Sequence, residues 1–315
     1  MVDAVFEKTT YKDVEAVKIT TSRVIAIFIP SQGGKLASLK SKAGSREYMA
    51  QADGNEYRLL TLDGSYVESE CSGFDDMFPT IDPWEADGKA YIDHGEICRC
   101  PLNYSIGSNM LVMDFNSKLL PYSFKKTITQ SNNGGIFIEY AAKNLSESDM
   151  DFIWASHFMV SAEVNGEIIT PFKKGDSVEL AFSSDESFGT KFTKSKFPYA
   201  ANKKSKINTS DEFSKDGLAY KYYFSQRVPR GFCGYKYKSD NTKLMLRFPK
   251  DKVPYLGIWV NNGSFKGMHN IALEICTGAF DRPDIARERN QFSVIKGGQD
   301  YEWFMEIDVI KKATF

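Results

Sequence analysis

The sequence predicts an all-β protein, a large antiparallel β-sandwich with few short helices, and three observations predict it. Apolar runs of strand length recur along the whole 315 residues. Turn residues separate them, most clearly Asn132-Asn133-Gly134-Gly135 and Asn261-Asn262-Gly263, because Asn and Gly tolerate positive φ. Alternation with a period of two is common, whereas helical spacing is nearly absent. With no internal repeat and strands of one kind throughout, residues 1–315 are read as a single domain.

Taken in order, residues 14–20 alternate loosely. Residues 23–29 form a β-branched apolar run that Pro30 ends. Gly33 and Gly34 then turn the chain into a strand at 35–39. Further strands are expected at 98–106, 110–115, 122–129, 136–142 and 152–163. More follow at 178–182, 219–224, 232–237, 243–248, 255–260, 271–276 and 301–309. In the last of these Tyr301, Trp303, Met305, Ile307 and Val309 share one face, which is the mark of a half-buried strand. One short helix is expected at 281–290, capped by Asp281, with Pro283 in its first turn. Arg287 and Arg289 fall near its C-terminus, where the helix dipole favours cations. Residues 191–213 are rich in Lys and Ser. Strands of the same kind lie on both sides, so they read as a surface excursion rather than a domain linker.

Composition narrows the function. Hydrophobic residues make up 42% of the chain, enough for a substantial core. The formal net charge is −1 with the signs interspersed, which argues against nucleic acid or an anionic membrane as a partner. No run approaches the length of a membrane span, and residues 1–20 lack a signal-peptide core. A cytoplasmic location is expected. The five cysteines are odd in number and follow no framework spacing, which fits reduced thiols. Cys98 and Cys100 lie near His94, but a zinc site needs a fourth ligand and no second Cys pair exists, so no metal is expected. Nucleotide-binding glycine patterns and a serine nucleophile elbow are both missing.

Acid–base chemistry concentrates in three places. The stretch 72–106 is long and polar, and contains His94, one of three histidines. It also carries Asp75, Asp76, Asp93 and Glu96 among Gly, Pro and aromatic residues. Such loops are more often functional than connecting. Carboxylates, imidazoles and aromatic faces are the groups that bind sugar hydroxyls and rings, and this stretch has all three. His157 lies inside the apolar run 152–160. It reads either as a core histidine bonded to a carbonyl or as an acid–base group. Glu274 lies inside Ile271-Ala-Leu-Glu-Ile-Cys276, sharing a face with Ala272 and Cys276. It reads either as the outer face of an edge strand or as a buried carboxylate with a task. His269, in a Gly-Met-His-Asn loop, reads as a surface residue.

Several segments, in order, resemble the galactose mutarotase-like superfamily, the aldose 1-epimerases and their relatives. They are Gly33-Gly34-Lys35-Leu36-Ala37-Ser38-Leu39 with Arg46-Glu47, Ser72-Gly-Phe-Asp-Asp-Met-Phe-Pro79, Asp93-His94-Gly95-Glu96-Ile97, Trp154-Ala-Ser-His157, Leu273-Glu274-Ile-Cys-Thr-Gly278 and Lys296-Gly297-Gly298-Gln299. The resemblance implies a concave sandwich face holding a monosaccharide or sugar derivative. It implies Glu274 as the general base at the anomeric hydroxyl, His157 as the general acid at the ring oxygen, and His94 as the second active-site histidine. The family's Asn-Arg pair before the first histidine is replaced here by Cys71-Ser-Gly-Phe-Asp-Asp-Met. Hydroxyl recognition is therefore expected from Asp75 or Asp76, and a plausible sugar platform from Trp259 with Asn261. The implied activity is interconversion of α and β anomers by acid–base ring opening, with no metal or organic cofactor. Two alternatives stand beside it: a non-catalytic carbohydrate-binding protein on the same fold, and a sugar-phosphate epimerase drawing on Arg46, Arg58, Arg99 or Arg230.

Overall fold

A computed structural model describes residues 4–86, 88–163, 165–199, 201 and 217–311. The part of the Lys/Ser-rich stretch from residue 202 onward lies outside them. Among the described residues the chain builds an eleven-stranded and an eight-stranded sheet, with two small two-stranded ones. The large sheet runs from Val5–Tyr11 at one edge to Lys194–Lys196 at the other. Its middle holds, in order, Phe74–Met77, Ala155–Ser161, His269–Cys276, Tyr255–Asn262, Ala219–Phe224 and Ser177–Ser183. The smaller main sheet centres on Asp300–Lys311 between Thr242–Arg247 and Ile136–Asn144. All strand pairings are antiparallel apart from an isolated parallel bridge, Phe78 to Gly95.

Alternation along each central strand explains both sides of the large sheet. Phe74, Phe158, Leu273, Ile258 and Tyr222 belong to one hydrophobic cluster with Phe124, Ile138 and Met305 from the other sheet. That cluster is the sandwich core. The residues between them, Asp75, His157, Glu274, Trp259 and Lys221, project to the opposite side. This outer side is not wet. Met77, Ala155, Tyr223, Cys276 and Phe280 form a second apolar cluster there, covered by the loops before and after these strands.

The structure revises several boundaries. The strand expected at 98–106 divides into a 3₁₀ turn, Ile97–Arg99, and a short strand, Asn103–Ile106. The run 152–163 is interrupted at Ile153 and Trp154, whose backbone bonds go to Pro79 and to Thr277. The short helix spans Pro283–Glu288, and its N-cap is Arg282, not Asp281. The turn at 132–135 falls between strands, with Gly134 at φ 81°, whereas Asn261 and Asn262 end the strand Tyr255–Asn262 and the turn begins at Gly263, at φ 98°. All five cysteines are unpaired. Among the described residues no helix is long and apolar enough to cross a membrane.

Candidate active site

A cavity of about 430 Å³ opens on the outer side of the large sheet. Its floor is the central strands and its walls are the loops around Tyr66, Ile81, His94, Lys191 and Phe265. His94, His157, Glu274, Trp259 and Asn261 all line it. The register pairs Ala155 with Cys276 and Phe158 with Leu273. His157 and Glu274 therefore lie across from each other on neighbouring strands, at a point where Ser156 Oγ interrupts the ladder by accepting from the Ile275 amide at 3.1 Å and donating to the Leu273 carbonyl at 2.9 Å. Glu274 is on a central strand and only 1% exposed, which excludes the edge-strand reading.

A lysine and an aspartate that the sequence did not single out complete the Glu274 end. Lys221 Nζ donates to Glu274 Oε2 at 2.5 Å and to Asp281 Oδ1 at 2.6 Å. Tyr223 Oη donates to the same Asp281 oxygen at 2.5 Å. Asp281, expected to cap the helix, instead has φ 68° and turns its carboxylate into this cluster. Glu274 Oε1 is buried and has no hydrogen-bond partner. Burial raises the Glu274 carboxyl above its usual range; Lys221 opposes the shift and Asp281 adds to it. Burial would lower Lys221, but Asp281 and Glu274 outweigh it and hold the ammonium well above the usual lysine range.

Tyr66 organises the histidine end. Its ring stacks on His94, with centroids 4.0 Å apart and planes 6° from parallel. Its hydroxyl lies 2.9 Å from Asp75 Oδ2 and 3.0 Å from His157 Nδ1. Lys35 Nζ also donates to Asp75 Oδ2, at 2.5 Å. A carboxylate held by an ammonium only accepts, so Tyr66 donates its single proton to Asp75. Its oxygen then accepts from His157, which places the proton on Nδ1 and leaves Nε2 free for a ligand. Burial pushes His157 well below the ordinary imidazole value, with the nearby charges of His94, Lys221 and Lys35 acting the same way.

The loops that carry Tyr66 and His94 are fastened together. Arg99 donates to the carbonyls of Thr61, Leu62, Gly64 and Asp93. His94 has φ 60° and is followed by Gly95 at φ 73°. A Cβ on Gly95 would sit 2.2 Å from the Phe78 carbonyl oxygen, so only glycine permits this approach. Asp93 Oδ2 lies 2.8 Å from His94 Nδ1. Burial pushes the Asp93 carboxyl up, yet His94 and Arg99 together hold it below its usual range.

Four carboxylates expected as sugar ligands do not line the cavity. Asp75 lies behind Tyr66, as described. Asp76 is one residue on and so faces the sandwich interior, where Lys126 Nζ is 2.8 Å away and Trp154 Nε1 donates at 2.9 Å. Glu96 accepts from Ser117 Oγ, from Tyr122 Oη at 3.2 Å and from the Lys118 amide at 3.2 Å. Asp93 braces His94 from outside. Asp76 and Glu96 are buried on internal donors, Asp75 is held by Lys35 and Tyr66 through Oδ2 while its Oδ1 has no partner, and the Asp93 side chain is 43% exposed outside the cavity. Arg46, Arg58, Arg99 and Arg230 do not line the cavity either. Among the described residues no group of three or more His, Cys, Asp or Glu is arranged to hold a metal ion.

No family model matches the chain, and no curated protein matches it. Solved structures do. A galactose mutarotase-like protein from Clostridium acetobutylicum is 15% identical, with 98% of this chain and 99% of that one covered, at a TM-score of 0.70. A candidate aldose 1-epimerase from Klebsiella pneumoniae is 14% identical, with 99% and 85% covered, at 0.72. A galactose mutarotase-like protein from Lactobacillus casei is 16% identical, with 94% and 100% covered, at 0.66. At these identities the likeness is one of fold. The chain folds as a galactose mutarotase-like β-sandwich.

Proposed function

We propose that this protein is an aldose 1-epimerase acting in carbohydrate metabolism. One observation carries the reading: Glu274, whose Oε1 is buried without a partner, lines the same cavity as His157 on the neighbouring strand. Ring opening of an aldose requires one proton removed from O1 and one delivered to O5. Glu274 removes the first and His157 Nε2 delivers the second. Rotation about C1–C2 exposes either face of the aldehyde, and the same two groups work in reverse to close the ring. Each positioned transfer contributes on the order of 10²–10⁴ in rate.

The surroundings support this division. Burial pushes the Glu274 carboxyl up and the His157 imidazole down. Ring opening carries one proton from His157 to Glu274 by way of the sugar, and ring closure returns it. Lys221 fixes the orientation of the carboxylate through Oε2 and leaves Oε1 for O1. Tyr66, backed by Asp75, holds the imidazole through Nδ1. His94, 5.8 Å from His157 between ring centroids, orients the sugar near its ring oxygen.

The test is anomer exchange, followed by polarimetry or NMR after dissolving single anomers of several aldoses with and without the protein. Acceleration that is lost in Glu274→Gln and His157→Asn is the expected result. Saturable sugar binding with no acceleration in the wild-type protein identifies a sugar-binding protein instead.

A further inference from the structure

We infer that the cavity contains a second subsite, beyond the reacting ring, that takes the second pyranose ring of a reducing disaccharide. This rests on the epimerase reading for the identity of the first subsite and on separate residues for the second.

The sheet register sets three rows of residues on the side that carries the cavity, and each row contributes lining residues. Glu274 is opposite Gly257, which is opposite Tyr223, with His157 on the other side of Glu274. Two residues along, Met159, Ala272, Trp259 and Lys221 form the next row. Two residues further, Ser161, Asn270, Asn261 and Ala219 form the third. Successive rows are about 6.7 Å apart, so Glu274 and Asn270 are separated by about 13 Å along their strand. A pyranose built of bonds of about 1.5 Å spans about 5–6 Å from O1 to the oxygen across the ring. A ring held for reaction in the first row reaches the second row and leaves the third uncovered.

The second and third rows are furnished for a ligand. Trp259 and Met268 line the cavity and pack on Ala272 and Met159 beneath them. The Trp259 ring stands 5.4 Å from Phe265 and 5.5 Å from Phe182, between centroids, and Phe182 is 38% exposed. Asn261 fixes the Phe265 wall by exchanging hydrogen bonds with its backbone at 3.0 and 3.1 Å. Asn270 lines the cavity, is 1% exposed, and its Oδ1 has no partner. A buried acceptor with no donor is costly, and a sugar hydroxyl is the kind of donor that satisfies it. An aromatic surface followed by one placed polar group is how pockets recognise and orient a ring. Volume agrees: six CHOH units, each near the ~30 Å³ of a water molecule, come to about 180 Å³. The cavity offers about 430 Å³.

The experiment has a turnover arm and a binding arm. Wild-type protein is assayed for mutarotation of glucose, cellobiose, maltose and lactose, which share a glucose reducing end. At least one disaccharide is expected to have a kcat/KM about tenfold above that of glucose. In Trp259→Ala and Asn270→Ala that ratio falls toward one. Equal values for glucose and all three disaccharides overturn the subsite. In the binding arm, methyl β-cellobioside and methyl β-glucoside, which cannot open, are titrated with tryptophan fluorescence as the readout. Tighter binding of the cellobioside, by about tenfold and lost in Asn270→Ala, supports the subsite even if no sugar is turned over; that combination overturns the epimerase reading alone. Equal affinities, or no binding of either glycoside, overturn the subsite.

Discussion

Lys221 Nζ lies 2.5 Å from one oxygen of Glu274 and leaves the other oxygen without a partner. The lysine is shared, because Asp281 also accepts from it at 2.6 Å. Its charge opposes the rise that burial imposes on the Glu274 carboxyl. Lys221→Met removes that support from two buried carboxylates at once. Breaking a buried pair in this way costs about 3–5 kcal/mol. The variant is expected to unfold at clearly lower denaturant and to lose mutarotation. A variant with wild-type stability and rate would rule out this role.

The pH dependence follows from the two shifts. Glu274 is raised from an ordinary value of 4.5 and His157 is lowered from one of 6.5. Activity needs one proton on the pair. It falls in acid, as both become protonated, and in base, as both lose their protons. The profile of kcat/KM reports the free enzyme. The profile is expected to be a bell, rising as the pair loses its first proton and falling as it loses the second. A profile with a single limb, unchanged in shape by Glu274→Gln, would contradict the assignment.

Tyr66 is a positioning residue, and Tyr66→Phe isolates its hydroxyl. The stack on His94 is kept, while His157 Nδ1–H loses its acceptor. Leaving a buried donor unmade costs about 1–3 kcal/mol, or roughly 5- to 150-fold if it is felt in the transition state. The expected result is a fall in kcat larger than any rise in KM, with the basic limb of the pH profile moved further down. An unchanged profile with only a lower melting temperature would reduce Tyr66 to packing.

Asp76 provides a contrast. Its partners Lys126 and Trp154 belong to the sandwich interior. Asp76→Asn is expected to lower the unfolding free energy by about 3–5 kcal/mol, read from urea or guanidinium transitions. A sugar ligand at this position would instead raise KM with stability unchanged.

Gly95→Ala tests the loop that aims His94. The added methyl group meets the Phe78 carbonyl at 2.2 Å in a left-handed backbone conformation. The variant is expected to lose activity through displacement of His94 and to expose the 92–96 turn to limited proteolysis. Wild-type rate in a fully stable variant would show that this turn does not set the histidine.

The strands, the Asn/Gly turn at 132–135 and the alternating last strand were legible because they depend on local rules, a period of two and positive φ. The same parity places His157 and Glu274 on one side of their strands. Asp75 and Asp76 show where local reading stops. Adjacent in sequence and alike in chemistry, they point to opposite sides of one strand, and only the neighbours waiting on each side decide their tasks. Asp281 reads as a helix cap until Lys221 and Tyr223 arrive from a strand some sixty residues earlier. Tyr66 sits in a polar loop with no pattern around it, and its place was decided by Arg99 and His94. Sequence alone thus determined the sheet-forming segments and the supply of acid–base groups. The tertiary structure decided which of those groups meet, because convergence of side chains depends on strand order and on burial, and neither is written in local spacing.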